Sequence, residues 1–239
     1  VDFAYRNYTL NQIPYIYTVR FDLIPEIEDE TNQWTNTSHI QDLLDVGVYS
    51  AVRYKSIKGN PEYLHIYEIP NPDTLHTKSY AEARNNDETG AKLRHGFRNH
   101  SASVYEQIVT NQISPTPLKK NKIHQDSWGA IRSPFLITVR MKIDESISKD
   151  LILWNKTEHF PLILEATGAL SARLCVKTEK QHPTSNSKDP EWLAIYEIDN
   201  LDFLKDQKVN EANSTEWASR IHNLTILTDL NILKRIHPK

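Results

Sequence analysis

A nine-residue stretch written twice is the strongest constraint this chain places on its own fold. Pro61-Glu62-Tyr63-Leu64-His65-Ile66-Tyr67-Glu68-Ile69 returns, from position 190, as Pro190-Glu191-Trp192-Leu193-Ala194-Ile195-Tyr196-Glu197-Ile198, with seven of nine positions identical. Upstream, Thr18-Val19-Arg20 returns as Thr138-Val139-Arg140, and Trp34 with His39 returns as Trp154 with His159. The blocks keep their order, at offsets of 120 and then 129 positions. A period that long exceeds any solenoid unit and matches a whole small domain. The chain therefore reads as one fold duplicated and fused.

Each half carries the same pattern of elements. A strand with alternating apolar residues opens it, Tyr15–Leu23 and Phe135–Ile143. A helix follows, Trp34–Asp45 and Trp154–Thr167, with Gly47 and Gly168 placed to end it in a left-handed cap. Two strands come next, then a helix with Asp73 or Asp202 at its expected cap, then a fourth strand. The order β-α-β-β-α-β is the ferredoxin-like unit, with helices on one face of its sheet and the other face left to bury. Two such sheets packed together bury both, so the expected fold is α+β with tandem ferredoxin-like domains. The divisions are 1–14 as a leader, 15–110 and 135–239 as the repeats, and 111–134 as a proline- and lysine-containing linker.

Composition removes several functions. A net charge of −3 with both signs mixed leaves no basic face for nucleic acid. No apolar run approaches 20 residues, so no membrane helix is expected, and the single Cys175 fits a reducing, cytoplasmic setting. Ten dispersed histidines show no metal-binding spacing, and six glycines leave no phosphate loop. No metal and no cofactor is expected. Six Asn-x-Ser/Thr sequons bear on glycosylation only in a secreted protein.

The motif series resembles a known group. A Trp followed five residues later by His, then a glycine, then Ser-Ala, then Pro-Glu-Tyr/Trp-Leu-x-Ile-Tyr-Glu-Ile is similar to dimeric α+β barrel proteins, in particular the EthD-like and antibiotic-biosynthesis-monooxygenase-like branch. The resemblance spans both halves. It implies an intrachain version of the two-sheet barrel, a small-molecule substrate, and a monomer or homodimer. It does not select a reaction, because relatives of this kind include cofactor-free oxygenases, isomerases, decarboxylases, cyclases and haem-handling proteins.

Among residues that can carry chemistry, His39 and His159 come first. Both are expected in the first turns of their helices near a cavity mouth, where an imidazole can move a proton at neutral pH. The plainer alternative is a helix-surface histidine held by a carboxylate. Tyr67-Glu68 and Tyr196-Glu197 are adjacent on strands, so only one of each pair can face a given cavity. The favoured reading pairs the glutamates with Arg20 or Arg140 and packs the tyrosines. Arg173 can hold an oxyanion or pair with Glu197; in the first half the arginine stands one place later, as Arg53, and faces the other side of its strand. Trp34 and Trp154 read as pocket wall or core. The leading expectation is cofactor-free acid–base chemistry (lyase, isomerase, decarboxylase or cyclase type) on a small apolar carbonyl or phenolic compound. His159 acts as base, Arg173 steadies charge, Tyr196 orients, His39 is the second candidate, and Trp154, Trp34, Glu197, Tyr67 and Glu68 line the sites. The alternatives are a non-catalytic binding or assembly module, and a cofactor-free or haem-dependent oxygenase of the same fold.

Overall fold

The computed structural model describes residues 15–113, 123–125, 131–185 and 187–238. The elements come in the same order twice. In residues 15–113 they are β1 (Tyr15–Leu23), α1 (Pro25–Trp34), a π-helical turn (Thr35–His39), α2 (Ile40–Asp45), β2 (Ser50–Lys58), β3 (Tyr63–Ile69), α3 (Lys78–Asn85), α4 (Glu88–Leu93) and β4 (Phe97–Ile113). A short β5 (Ile123–Gln125) follows. In residues 131–238 they are β6 (Phe135–Ile143), α5 (Ser148–Trp154), a second π turn (Asn155–His159), α6 (Phe160–Ile163), β7 (Ala169–Lys177), β8 (Trp192–Ile198), α7 (Gln207–Asn213), α8 (Glu216–Asn223) and β9 (Thr225–His237).

Eight strands close into one antiparallel barrel in the order β1-β3-β2-β9-β6-β8-β7-β4, with β4 returning to β1 and β5 added at the edge of β4. The two halves meet at the β2–β9 and β4–β7 seams, each with a register shift that lets the barrel bend. Alternation sorts every strand: Ile16, Leu64, Ile66, Leu136, Leu193, Ile195 and Leu233 fill the interior, and their neighbours face the helices. Strand β4 runs on to Ile113, so Asn111 and Gln112 pair with β7 beyond the boundary expected at 110.

The first helix of each half departs from expectation. It begins at Pro25, not Trp34, because Pro25 presets the first turn and Glu26 and Glu28 complement the helix N-terminus. His39 and His159 therefore sit at the end of a π turn in mid-helix. That turn explains the Trp-to-His spacing. In an α-helix five positions lie about 140° apart and cannot stack, whereas the wider π turn brings them together. The Trp34 and His39 rings lie 4.5 Å apart, and those of Trp154 and His159 lie 4.2 Å apart. The first residue of each turn hydrogen-bonds the carbonyl four residues back: Thr35 to Thr31 at 2.7 Å, Asn155 to Leu151 at 2.8 Å. Gly47 and Gly168 adopt φ of 108° and 83°, the left-handed geometry that ends these helices. Asp73 and Asp202 are not the helix caps expected of them; Thr77 caps α3 and Asp206 caps α7. No helix among the described residues is long and apolar enough to cross a membrane.

Candidate functional site

A cavity of about 530 Å³ lies between the helices and the sheet of the first half. Strand residues Tyr17, Val19, Phe21, His65 and Tyr67 form its floor. Trp34, His39 and Leu43 close one side, and Tyr80, Arg84 and Asp87 another. Arg94, Phe97 and His100 add to the wall, and part of it comes from the other half. The long β7–β8 connection, residues 178–191, reaches across and lays the His182 ring on Tyr17 at 5.5 Å and 10°. Gln181 anchors it, accepting from the Val104 N–H at 2.8 Å and donating to its carbonyl at 3.0 Å.

His39 lines the cavity with Nδ1 3.6 Å from Asp87 Oδ2. Burial pushes the Asp87 carboxyl up, but His39, the Gly90 N–H and the Trp34 indole hold it below the ordinary aspartate range. The carboxylate sits on the Nδ1 edge of the imidazole, slightly beyond hydrogen-bond length, and among the described residues Nε2 makes no hydrogen bond. Gly90 permits this arrangement: a Cβ there would lie 2.6 Å from Trp34 Cζ2.

Tyr67 is the second polar group of the floor. His65 Nδ1 lies 3.2 Å from its hydroxyl, and Arg53 Nε donates to His65 Nε2 at 2.9 Å. Arg53, His65 and Tyr67 are all buried. Burial first, and the Arg53 charge second, hold the His65 pKa well below the ordinary histidine value.

The second half uses the equivalent residues differently. His159 is buried, with Nδ1 3.3 Å from the Ala212 carbonyl and Nε2 3.0 Å from the Tyr196 hydroxyl. A neutral ring donates from Nδ1 to the carbonyl, so Nε2 accepts from Tyr196. Trp154 and Phe160 pack on the same group. Both ring nitrogens of His159 are engaged within the protein.

Arg173, Glu197 and Glu68 face the barrel interior, away from the helices. Arg173 donates to Glu197 Oε2 at 2.9 Å and to Gln107 at 2.9 Å. Glu197 also accepts from Ser171 and the backbone of Arg132 and Ser133; burial raises its pKa, but Arg173 and these bonds bring it below the ordinary value. Glu68 receives Ser50 and the Ile131 N–H without a direct arginine contact, and burial pushes it up to about 7. The expected pairing of these glutamates with Arg20 or Arg140 does not occur. Glu68 pairs in register with Ile16, four residues before Arg20, and Arg20 instead meets Asp189 and Asp229.

Of the residues singled out in the sequence, the structure brings His39, Trp34 and Tyr67 to the cavity, gathers His159, Trp154 and Tyr196 in the second half, and puts Arg173, Glu197 and Glu68 in the barrel. Sequence reasoning missed His65, Asp87 and His182; Arg53 was expected on the opposite side of its strand from Arg173, where it lies, but was given no role. One signal was present: His65 is one of the two mismatches in the repeated nonapeptide. Its partner in register is Arg53, and the corresponding pair in the second half is Leu174 and Ala194. Arginine and histidine in one half are replaced together by leucine and alanine in the other. Among the described residues no group of three or more His, Cys, Asp or Glu side chains is placed to hold a metal ion.

No family model matches the sequence, and no curated protein matches it. Solved structures do. An anthrone oxidase-like protein aligns over 95% of this chain and 92% of its own, with a TM-score of 0.61 at 9% identity. A monooxygenase-like protein of Fusobacterium nucleatum aligns over 94% and 93%, with a TM-score of 0.59 at 9% identity. A haem-binding protein of Thermus thermophilus aligns over 94% and 92%, with a TM-score of 0.53 at 12% identity. At these identities the likeness concerns architecture, and it establishes that the chain has the closed eight-stranded fold of the dimeric α+β barrel proteins.

Proposed function

We propose that the first-half cavity is an active site for cofactor-independent chemistry that begins by deprotonating a small, flat phenolic or carbonyl compound. One observation carries this reading. An imidazole with a carboxylate on its Nδ1 edge, His39 beside Asp87, and a phenol, Tyr67, share one aromatic-walled space. The volume suits a ligand of two or three fused rings, and Tyr17, Phe21, Trp34 and His182 line it with aromatic surface. His39 Nε2 takes the proton, and Tyr67 donates to the oxygen on which negative charge collects. The roles expected of His159 and Tyr196 thus pass to their first-half counterparts.

The anion so formed is electron-rich. With dioxygen as second substrate, a ring methylene becomes a carbonyl, one oxygen atom entering the product and the other leaving as water. This oxidative branch is supported by the neighbours named for monooxygenase and anthrone oxidase-like proteins. Isomerisation or decarboxylation would share its first step. The two halves are read as tandem ferredoxin-like units, a reading supported by their matching element order and paired π turns.

The test is oxygen uptake with anthrone as substrate, in air and under nitrogen, for the wild type and His39→Ala. Uptake that is lost in His39→Ala supports the proposal. Turnover that proceeds equally without oxygen moves the function to the non-oxidative branch. No turnover by the wild type, with no binding of anthrone, removes the enzymatic reading. A second reading, haem held by His39, has one supporting feature, an imidazole at the cavity wall with Asp87 on its Nδ1 edge. A Soret band in the purified protein that is absent from His39→Ala would establish it.

A further inference from the structure

The cavity floor contains a chain of hydrogen bonds with only one possible direction. Arg53 Nε carries a hydrogen and no lone pair, so it can only donate to His65 Nε2. His65 Nε2 is therefore an acceptor and bears no proton. The ring is neutral, as its burial and the arginine charge require, and its proton is on Nδ1. That N–H points at the Tyr67 oxygen, 3.2 Å away. Tyr67 thus accepts from His65, and its own hydrogen is left to donate into the cavity it lines. Each bond in such a series polarises the next.

The charge at the head of the series is not neutralised locally. Among the described residues Arg53 meets only neutral acceptors besides His65: Asn32 Oδ1 at 2.5 Å, the Asn32 carbonyl at 3.4 Å, and Asn36 Oδ1. Burial lowers its pKa to about 10, so it stays a cation at neutral pH. A buried guanidinium without a carboxylate is costly unless some negative charge nearby repays it. In the second half, where Leu174 and Ala194 replace Arg53 and His65, the matching tyrosine turns its hydrogen to His159 instead. The cation, the relay and the free hydroxyl occur together or not at all.

We propose that Arg53, His65 and Tyr67 form an oxyanion-binding pole, so that the ligand is held as a phenolate or enolate with its charged oxygen on Tyr67. Tyr67 is the contacting group, and Arg53 and His65 are positioning residues that act through it. This rests on the cavity being the ligand site and adds the ionisation state in which the ligand is bound. The other charged and titratable groups at the cavity are Tyr17, Tyr80, His39, Asp87, His100, His182, Arg84 and Arg94. Asp87 opposes an anion at its own side of the cavity, while Arg84 and Arg94 favour one.

The test uses 4-nitrophenol, whose phenolate absorbs near 400 nm, titrated with pH in the presence of excess protein. The wild type is expected to bind it as the anion and to lower its apparent pKa by about one unit, a tenfold preference for the anion. Tyr67→Phe, which keeps the ring packed on Tyr17, is expected to return that pKa to its solution value. His65→Phe is expected to abolish most of the shift as well, although Tyr67 is still present. Binding of the neutral phenol, with no pKa shift, would overturn the oxyanion pole and leave the cavity as a ligand site. A shift that survives both substitutions would also overturn it. No binding of either form to the wild type would overturn this proposal together with the functional reading of the cavity. The wild-type shift needs no variant, so poor folding of a mutant does not block the decision.

Discussion

Tyr196 donates its hydroxyl to His159 Nε2 at 3.0 Å, and that single contact separates the two halves of the molecule. It spans the space that in the first half lies between His39 and Tyr67. Removing the hydroxyl in Tyr196→Phe leaves a buried imidazole nitrogen unpaired, at an expected loss of about 1–3 kcal/mol. Urea denaturation measures it. Binding of 4-nitrophenol, read in parallel, is expected to be unchanged.

The same histidine sets a pH dependence. Burial lowers its pKa to about 4, from an unfolded value near 6.5, despite the Ala212 carbonyl. Below pH 6.5 the unfolded chain takes up a proton that the folded chain refuses until about pH 4. Stability contributed by neutral His159 is therefore complete above 6.5 and lost as the pH falls to 4, by about 3 kcal/mol in all. His65 and His182 are shifted in the same direction. Urea midpoints measured between pH 7 and 4.5 are expected to fall, and to fall less steeply in His159→Gln.

Glu68 acts in the opposite sense. Its folded pKa is pushed up to about 7 by burial, which outweighs the nearby Arg173 charge and the Ser50 and Ile131 hydrogen bonds. Stability is full below the unfolded value of 4.5 and is lost as the pH rises to 7. Glu68→Gln abolishes that loss. It is expected to exceed the wild type in stability at pH 8 by up to about 3 kcal/mol and to match it near pH 5.

Arg173→Met strands Glu197 as a buried charge, and a loss of about 3–5 kcal/mol is expected. The double change Arg173→Met with Glu197→Gln should recover much of it. Thermal melting of the two variants decides between a structural ion pair and an arginine needed elsewhere. If the double variant melts as low as the single one, the pairing is not what makes Arg173 important.

Gly90→Ala gains helix propensity of about 1 kcal/mol but puts a methyl group against Trp34 and the Asp87 carboxylate. The expected result is a displaced His39–Asp87 pair and weaker 4-nitrophenol binding, with an altered Trp fluorescence spectrum. His182→Ala removes the ring stacked on Tyr17, and ligand affinity is expected to drop roughly three- to tenfold. Calorimetric titration checks both.

The barrel was legible because its causes are periodic. Repeated nonapeptides, alternating strands and two terminal glycines report on local geometry that the structure keeps. His39, Trp34 and Tyr67 were legible for the same reason, as members of a repeat. What the repeated pattern concealed was which histidine and tyrosine line a cavity and which bond each other. Likeness drew attention to His159 and Arg173, while the decisive residues were the unlike ones. His65 sits where the other copy has Ala194, and it matters only because strand register sets Arg53 beside it. Asp87 reaches His39 across 48 positions of chain by capping α4, which no local pattern announces. The early helix start was readable from Pro25 and its acidic neighbours, but Trp34 drew the boundary instead.

The wall that residues 178–191 lend to the first half has a consequence for symmetry. In a pair of identical chains, any segment lengthened to cover a partner's pocket is lengthened in both, and both pockets are covered alike. Here the corresponding first-half connection spans only residues 59–62, and Gly59 lies tight against Leu230 and Asn231. One covalent chain breaks the equivalence: one half can give up its pocket to packing and become, in part, the housing of the other.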